Sequence, residues 1–395
     1  MIYRDFGKTG KKVSALGFGC MRLPELQVAG AAELTEKQKG EREKLSWYEQ
    51  QKDETMIIDE EKAIPLLMAA YDAGINYFDT AQFYCHFNSQ PTLGKAAKLM
   101  EREKVMIATK LPFDEVHKTS DFRRMLELQL RLLDMEYIDF YHFHGIDKRV
   151  FDNKIMGYGL KKEAQKALDE GLIRHMAFSF HGDLKDIPYL VDTFELFSSV
   201  LLQYNLLDRS GEESIDYLAS KCLGVVVMGP IGGGLLSVPS ELSEKLLGKS
   251  ISTPEFALRF VLGNKNVSCT ISGMENMDML NDNLKIANIE TPMTEDDFRK
   301  SIVMMEKLKK LSDLYCTGCN YCMPCPQGIE IPKIFKAYTF HNAYGLSSHA
   351  KNMWKASQGV PVSACTSCMA CEKKCPQHIK IVEKLKEVEH VMSAI

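Results

Sequence analysis

Eight of the chain's twelve cysteines lie in its last 80 residues, in two tight groups. The first is Cys316, Cys319, Cys322 and Cys325, each two residues from the next, with Pro326 after the last. The second is Cys365, Cys368, Cys371 and Cys375, with a final gap of three residues and Pro376 behind it. Cysteines so clustered, in a chain whose residues 1–10 carry early charges and no apolar signal core, are metal ligands rather than disulfide partners. Zinc and iron–sulfur centres both use four thiolates. Structural zinc usually takes two cysteines from each end of a longer loop. Three cysteines at two-residue gaps and then Cys-Pro is instead the spacing that wraps a four-iron four-sulfur cube. Both groups here run four together, which favours iron and sulfide. The remaining Cys20, Cys85, Cys222 and Cys269 are scattered, and Cys85 has no evident base to activate it, so it reads as a small packing residue.

The second group resembles the run of a bacterial two-cluster ferredoxin, and that resemblance implies crossed ligation. One cluster would take Cys316, Cys319, Cys322 and Cys375, and the other Cys365, Cys368, Cys371 and Cys325. The first group's shorter final gap departs from the pattern at Cys325. Between the groups, helical periodicity places Ile334, Phe335, Tyr338 and Trp354 on apolar faces, and residues 379–391 read as an amphipathic helix. The module over residues 311–395 therefore resembles an α-helical ferredoxin. Its nine lysines against six acids read as compensation for the clusters' own charge rather than as a docking face.

Before residue 305 the sequence alternates short apolar runs with helical patterns. Eight runs stand out, at 13–18, 75–78, 105–108, 138–143, 175–180, 200–203, 224–228 and 267–271. Helical stretches fall between them, with Gly74 and Gly171 placed as C-caps. Eight such units predict an α/β chain with a (β/α)8 TIM barrel over residues 1–305, its floor plugged by an opening hairpin. A charged insertion at about 25–57, containing Trp47 and Tyr48, breaks the rhythm. It reads as a solvated surface helix, or else as a lid or subunit contact.

In such barrels chemistry sits at the C-terminal ends of strands. Strand two ends in Asp79 with Tyr84 in the following turn, strand three ends in Lys110, and strand four ends in His144. A phenol with a pKa near 10 gives up a proton poorly at neutral pH, so a neighbouring Lys110 ammonium is expected to lower it, with Asp79 holding the lysine. His144 would hydrogen-bond a carbonyl while Tyr84 delivers the proton. Taken singly, Asp79–Lys110 could be a structural ion pair, Tyr84 a core phenol, and His142 or His144 a packed histidine sharing one strand face.

The segments 74–84 (GINYFDTAQFY), 108–110 (ATK) and 138–144 (IDFYHFH) resemble the aldo-keto reductase family. The resemblance maps that family's tetrad onto Asp79, Tyr84, Lys110 and His144, and the whole chain resembles the branch with a ferredoxin-type extension. It implies a nicotinamide cofactor, with Ser179 and Gln203 on the carboxamide and Met228 where many relatives stack an aromatic ring. Gly229 and Gly232 after strand seven, with Ser272, Gly273 and Asn283 after strand eight, would line the phosphate side. Relatives that use NADPH place a cation after strand eight. Here that segment carries Glu275, Asp278 and Asp282 and no Lys or Arg, so NADH is expected at least as readily as NADPH. A flavin could bridge two-electron and one-electron chemistry at the same loop, although no flavin fingerprint is present.

With 45% hydrophobic residues and a net charge of -4, the chain reads as a soluble, cytoplasmic protein without a nucleic-acid or membrane partner. The leading expectation is an oxidoreductase acting on a small carbonyl or alcohol, with clusters serving an external electron-transfer protein. Two alternatives stand beside it: a ferredoxin-linked redox enzyme without bound nicotinamide, and a structural or oxygen-sensing protein with non-catalytic clusters.

Overall fold

The computed structural model describes residues 1–29, 54–206, 208–237, 251–307, 314, 316–342 and 347–394. Eight parallel strands close into a barrel in chain order. They are β1 (Leu16–Gly19), β2 (Tyr77–Asp79), β3 (Met106–Leu111), β4 (Ile138–Ile146), β5 (Ile173–Phe180), β6 (Phe197–Gln203), β7 (Gly224–Met228) and β8 (Cys269–Ser272). The ladder closes where Ser272 pairs with Phe18. Almost every strand residue is buried on both faces, which is why the runs read as continuous rather than alternating.

The run at 13–18 is split, which corrects one expected strand. Lys12–Ser14 pairs antiparallel with Tyr3–Asp5 as the opening hairpin, and only Leu16–Gly19 enters the barrel. The hairpin carries Phe6 into the barrel interior, against Tyr77, Phe140 and Val226. Its ring occupies the space that a side chain at position 224 would need, so β7 begins with glycine.

The helices follow from spacing. In Ser120–Leu133 the buried set Phe122, Met125, Leu126, Gln129, Leu130 and Leu133 recurs at three and four residues, and Asp134 ends the helix in a left-handed conformation (φ 51°). Gly74 and Gly171 also take positive φ where helices end, as expected of C-caps. The ends of the charged insertion form an antiparallel pair, Glu25–Gln27 with Met56–Ile58. Trp47, Tyr48 and the readings attached to them lie outside the described residues.

The chain divides into two compact units that do not correspond to a single cut in the sequence. The first comprises Met1–Gln203, Ser210–Met228 and Asn264–Pro292; the second, Tyr204–Arg209, Gly229–Gly263 and Met293–Ile395. In the second, helices Ile331–Asn342 and Ile381–Ser393 share a core of Ile334, Phe335, Tyr338, Leu385, Val388 and Met392, with Trp354 from Ser347–Ala356. Tyr338 Oη donates to Glu387 Oε1 at 2.9 Å. Among the described residues no helix is long and apolar enough to cross a membrane.

Candidate active site and cysteine cavities

Lys110 lies at the end of β3 with its ammonium fixed from two sides. Its Nζ donates to Asp79 Oδ1 at 2.6 Å and to the Thr80 carbonyl at 2.8 Å. Gln129, from the helix that follows β3, donates to the Lys110 carbonyl at 2.8 Å and holds the strand end. The ammonium sits 4.8 Å from the Tyr84 ring centroid. His144, near the end of β4, meets the Tyr84 ring edge-on at 6.3 Å and stacks on Phe83 at 4.9 Å. One wall of one unit thus brings together Asp79, Tyr84, Lys110 and His144.

His142 points elsewhere. It is fully buried, and its Nε2 lies 3.3 Å from Tyr77 Oη in the barrel interior. Strand alternation puts both histidines on one face, but only His144 is within reach of the Tyr84 ring.

Electrostatics correct one expectation. Burial pushes the Tyr84 phenol well above its usual 10, and the Asp79 carboxylate and the Cys20 and Cys85 thiols add to the rise. The Lys110 ammonium, 4.8 Å from the ring centroid, is itself bonded to Asp79 and to the Thr80 carbonyl. Burial also lowers Lys110 itself, opposed by the attraction of Asp79. His144 is held well below its ordinary value by burial first, then by the Lys110 and His181 charges, so its imidazole is neutral at physiological pH.

Three features were missed from sequence. Phe83 orients His144 by stacking, which the residue order alone could have suggested. The turn after Tyr84 runs through three consecutive positive-φ residues, Cys85 (47°), His86 (53°) and Phe87 (71°), with no glycine to announce it. Arg22, beyond β1, lays its stem against Gly273: a Cβ built there would sit 3.2 Å from Arg22 Cδ. A cation therefore does stand beside the loop after β8, supplied from some 250 residues away in sequence.

The other expected cofactor residues fall at strand ends. Ser179 ends near the top of β5, and its hydroxyl oxygen accepts from Gly145 N–H at 2.7 Å, which leaves its proton for a ligand. Gln203 and Met228 are register partners ending β6 and β7. Ser272 ends β8 and accepts from Asn283 Nδ2 at 3.2 Å. A hydroxyl, an amide and a thioether at neighbouring strand ends are a donor set that fits a carboxamide-bearing ring. Gly229 and Gly232 lie in the second unit and take positive φ of 63° and 59°.

In the second unit the eight clustered cysteines line two small pockets that are partly open to solvent. Cys316, Cys319, Cys322 and Cys375 line one; Cys325, Cys365, Cys368 and Cys371 line the other. Among the described residues, no three His, Cys, Asp or Glu side chains converge as they would on a single ion. Burial pushes the Cys316 thiol up to about 12, while the Gly318 N–H aimed at its sulfur opposes that rise. Buried thiols with N–H groups directed at them fit an iron–sulfur cluster, whose iron takes them as thiolates.

The two cysteine loops are copies of one another. Cys316-Thr-Gly-Cys-Asn-Tyr-Cys parallels Cys365-Thr-Ser-Cys-Met-Ala-Cys, and Cys-Pro-Gln follows in both. Left-handed residues recur at matching positions: Gly318 (67°) with Ser367 (56°), Asn320 (63°) with Met369 (60°), and Gly328 (77°) with His378 (51°).

Polar side chains at the strand ends of a barrel and an appended cysteine module suit an oxidoreductase. Residues 49–301 match the Aldo/keto reductase family and residues 315–379 match the 4Fe-4S dicluster domain. The chain belongs to the aldo/keto reductase family and carries a ferredoxin-type 4Fe-4S domain. It is 27% identical to a probable aldo-keto reductase 1 of Glycine max over 68% of this chain and 70% of that one. It is 26% identical to an L-galactose dehydrogenase of Arabidopsis thaliana over 78% and 96%, respectively. The holo form of an aldo-keto reductase from Bacillus halodurans superposes with a TM-score of 0.61 at 24% identity, covering 77% of this chain and 96% of that one, and shows the shared fold.

Proposed function

We propose that the chain interconverts a small carbonyl compound and its alcohol, with Tyr84 as general acid and base. The observation that carries this reading is the Lys110 ammonium, bonded to Asp79 and set over the Tyr84 ring with His144 beside it. A nicotinamide, when bound, supplies or accepts the hydride. Ser179 and Gln203 would hold its carboxamide, and Met228 would lie beside the ring. Neutral His144 donates a hydrogen bond that orients the substrate oxygen, and Tyr84 Oη gives that oxygen its proton in reduction. Lys110 fixes the phenol ring through its face, and Asp79 fixes Lys110. Tyr84→Phe tests the assignment: carbonyl turnover is expected to vanish with nucleotide binding intact, and retained turnover would remove Tyr84 from the role.

In the ferredoxin-type module, Cys316, Cys319, Cys322 and Cys375 would hold one four-iron cluster and Cys325, Cys365, Cys368 and Cys371 a second. The clusters, when bound, carry single electrons. The support is the division of the eight thiols between two pockets, four to each.

A second reading, ferredoxin-linked chemistry without bound nicotinamide, draws on Met228 and on the acidic segment Glu275, Asp278 and Asp282. Equilibrium titration with NADH and NADPH separates the two: tight binding of either excludes the second.

A further inference from the structure

The two copied cysteine loops differ in what covers them. In the first, Cys316 to Cys319 are all half-buried. The backbone of Gly233, in the loop after β7, presses on Thr317 so closely that a Cβ at 233 would collide with the Thr317 carbonyl. In the second, the matching Thr366, Ser367 and Cys368 are exposed, and Met369 is 46% exposed. Charge differs in the same sense. Between Cys316 and Glu330 the single charged residue is Glu330, which is paired with Lys333 at 2.5 Å. Between Cys365 and Lys380 stand Lys373, Lys374 and Lys380, all exposed. The one acid there, Glu372, turns back to accept from Val382 N–H at 2.8 Å. Among the described residues none of these three lysines has an ion-pair partner.

We propose that the two cluster sites are inequivalent, and that the surface formed by Cys368, Met369, Lys373, Lys374 and Lys380 docks an acidic one-electron carrier protein. This rests on the reading that the eight thiols hold iron–sulfur clusters. The site ringed by Cys325, Cys365, Cys368 and Cys371 exchanges electrons with the carrier. The site ringed by Cys316, Cys319, Cys322 and Cys375, covered by the Gly233 loop, lies behind it as the inner relay. The step moves one electron: the carrier's centre is oxidised by one, the receiving site is reduced by one, and no bond forms or breaks. Complementary charge is what such a contact needs, because electron-transfer encounters are small and fast, and steering sets their rate. Met369, exposed and apolar, and the three exposed lysines that follow it in sequence would supply a dry centre with a charged rim.

The test uses the full chain, purified anaerobically, with a reduced acidic two-iron ferredoxin as probe in stopped flow. The combined variant Lys373→Glu, Lys374→Glu, Lys380→Glu is expected to slow the second-order reduction roughly tenfold or more and to abolish its decline with salt. Iron, sulfide and visible absorbance should match the parent chain. An unchanged rate in a variant with full iron overturns the docking surface alone. Absence of iron and sulfide from the parent chain overturns the cluster reading and this inference together. Freeze-quench EPR assigns the order. Cys368→Ser should alter or remove the fast-reducing signal, and Cys319→Ser should spare it; the reverse pattern overturns the assignment.

Discussion

Lys110 and Asp79 form a fully buried ion pair, Nζ to Oδ1 at 2.6 Å, with both side chains 1% exposed. Removing one partner from such a pair leaves an uncompensated charge and costs about 3–5 kcal/mol, while removing both can be close to neutral. Asp79→Asn and Lys110→Met should therefore each destabilise the chain by that amount in urea unfolding. The double variant should recover most of the loss. Activity should not return with stability, because the ring of Tyr84 loses its cation in the double variant as well. Recovery of both together would make the pair purely structural.

The high phenol pKa has a direct kinetic consequence. A Tyr84 hydroxyl held well above 10 stays protonated across the neutral range, so the acid for reduction is always in place. Carbonyl reduction followed as kcat/KM, which reports the free enzyme, should show no decline from this group up to about pH 10. Alcohol oxidation, which needs the phenolate, should rise with pH over the same range. A reduction profile falling between pH 6 and 9, and absent in Tyr84→Phe, would contradict this.

A half-buried histidine is expected to contribute to the response to acid. His175, stacked on Phe140 at 4.7 Å, is lowered to about 4, chiefly by burial. Its folded value lies below the unfolded one near 6.5, so the unfolded chain binds the extra proton first. Its contribution to stability is thus complete above about pH 6.5 and is lost as pH falls toward 4. Urea midpoints at pH 7 and pH 5 should differ less in His175→Leu than in the parent chain. Equal differences would show that His175 titrates normally.

Much of this was legible from residue order, for reasons that are local. Continuous apolar runs announce strands buried on both faces, while the cysteine spacing announces a metal module and leaves the division of its thiols to the resemblance with two-cluster ferredoxins. What was not legible depends on distant backbone. Phe6 filling the space at Gly224 and Arg22 lying on Gly273 join segments more than 200 residues apart. The rise of the Tyr84 phenol was not legible either, because burial, its largest cause, depends on the folded environment. The ammonium does lie near the phenol, but over its face, with its charge committed to Asp79 and Thr80.

Arg22 bears on nucleotide choice. It stands at the loop after β8, where the acidic residues Glu275 and Asp278 would repel a 2′-phosphate, and it offers the one kind of group that would attract it. Arg22→Ala should weaken NADPH more than NADH, by roughly tenfold for loss of a charge-assisted contact of about 1.5 kcal/mol. Fluorescence titration of both nucleotides measures this. Equal weakening would place Arg22 on the shared part of the nucleotide.

Crossed ligation makes a prediction that separates it from local ligation. If each group held its own cluster, Cys375→Ala would damage the same site as Cys368→Ala, its neighbour in sequence. The cavities pair Cys375 with Cys316, Cys319 and Cys322 instead, and Cys325 with the later group. Cys375→Ala should therefore lose the EPR signal that Cys319→Ala loses, with about half of the iron, since each cube takes four thiolates. Cys325→Ala should lose the other signal and the other half. Gly233→Ala provides an independent check on the first site, because a side chain at 233 has no room beside the Thr317 carbonyl and φ there is 65°. It should reduce iron at the Cys319 site while sparing the Cys368 site, and equal loss at both would show that the loop after β7 supports the module as a whole.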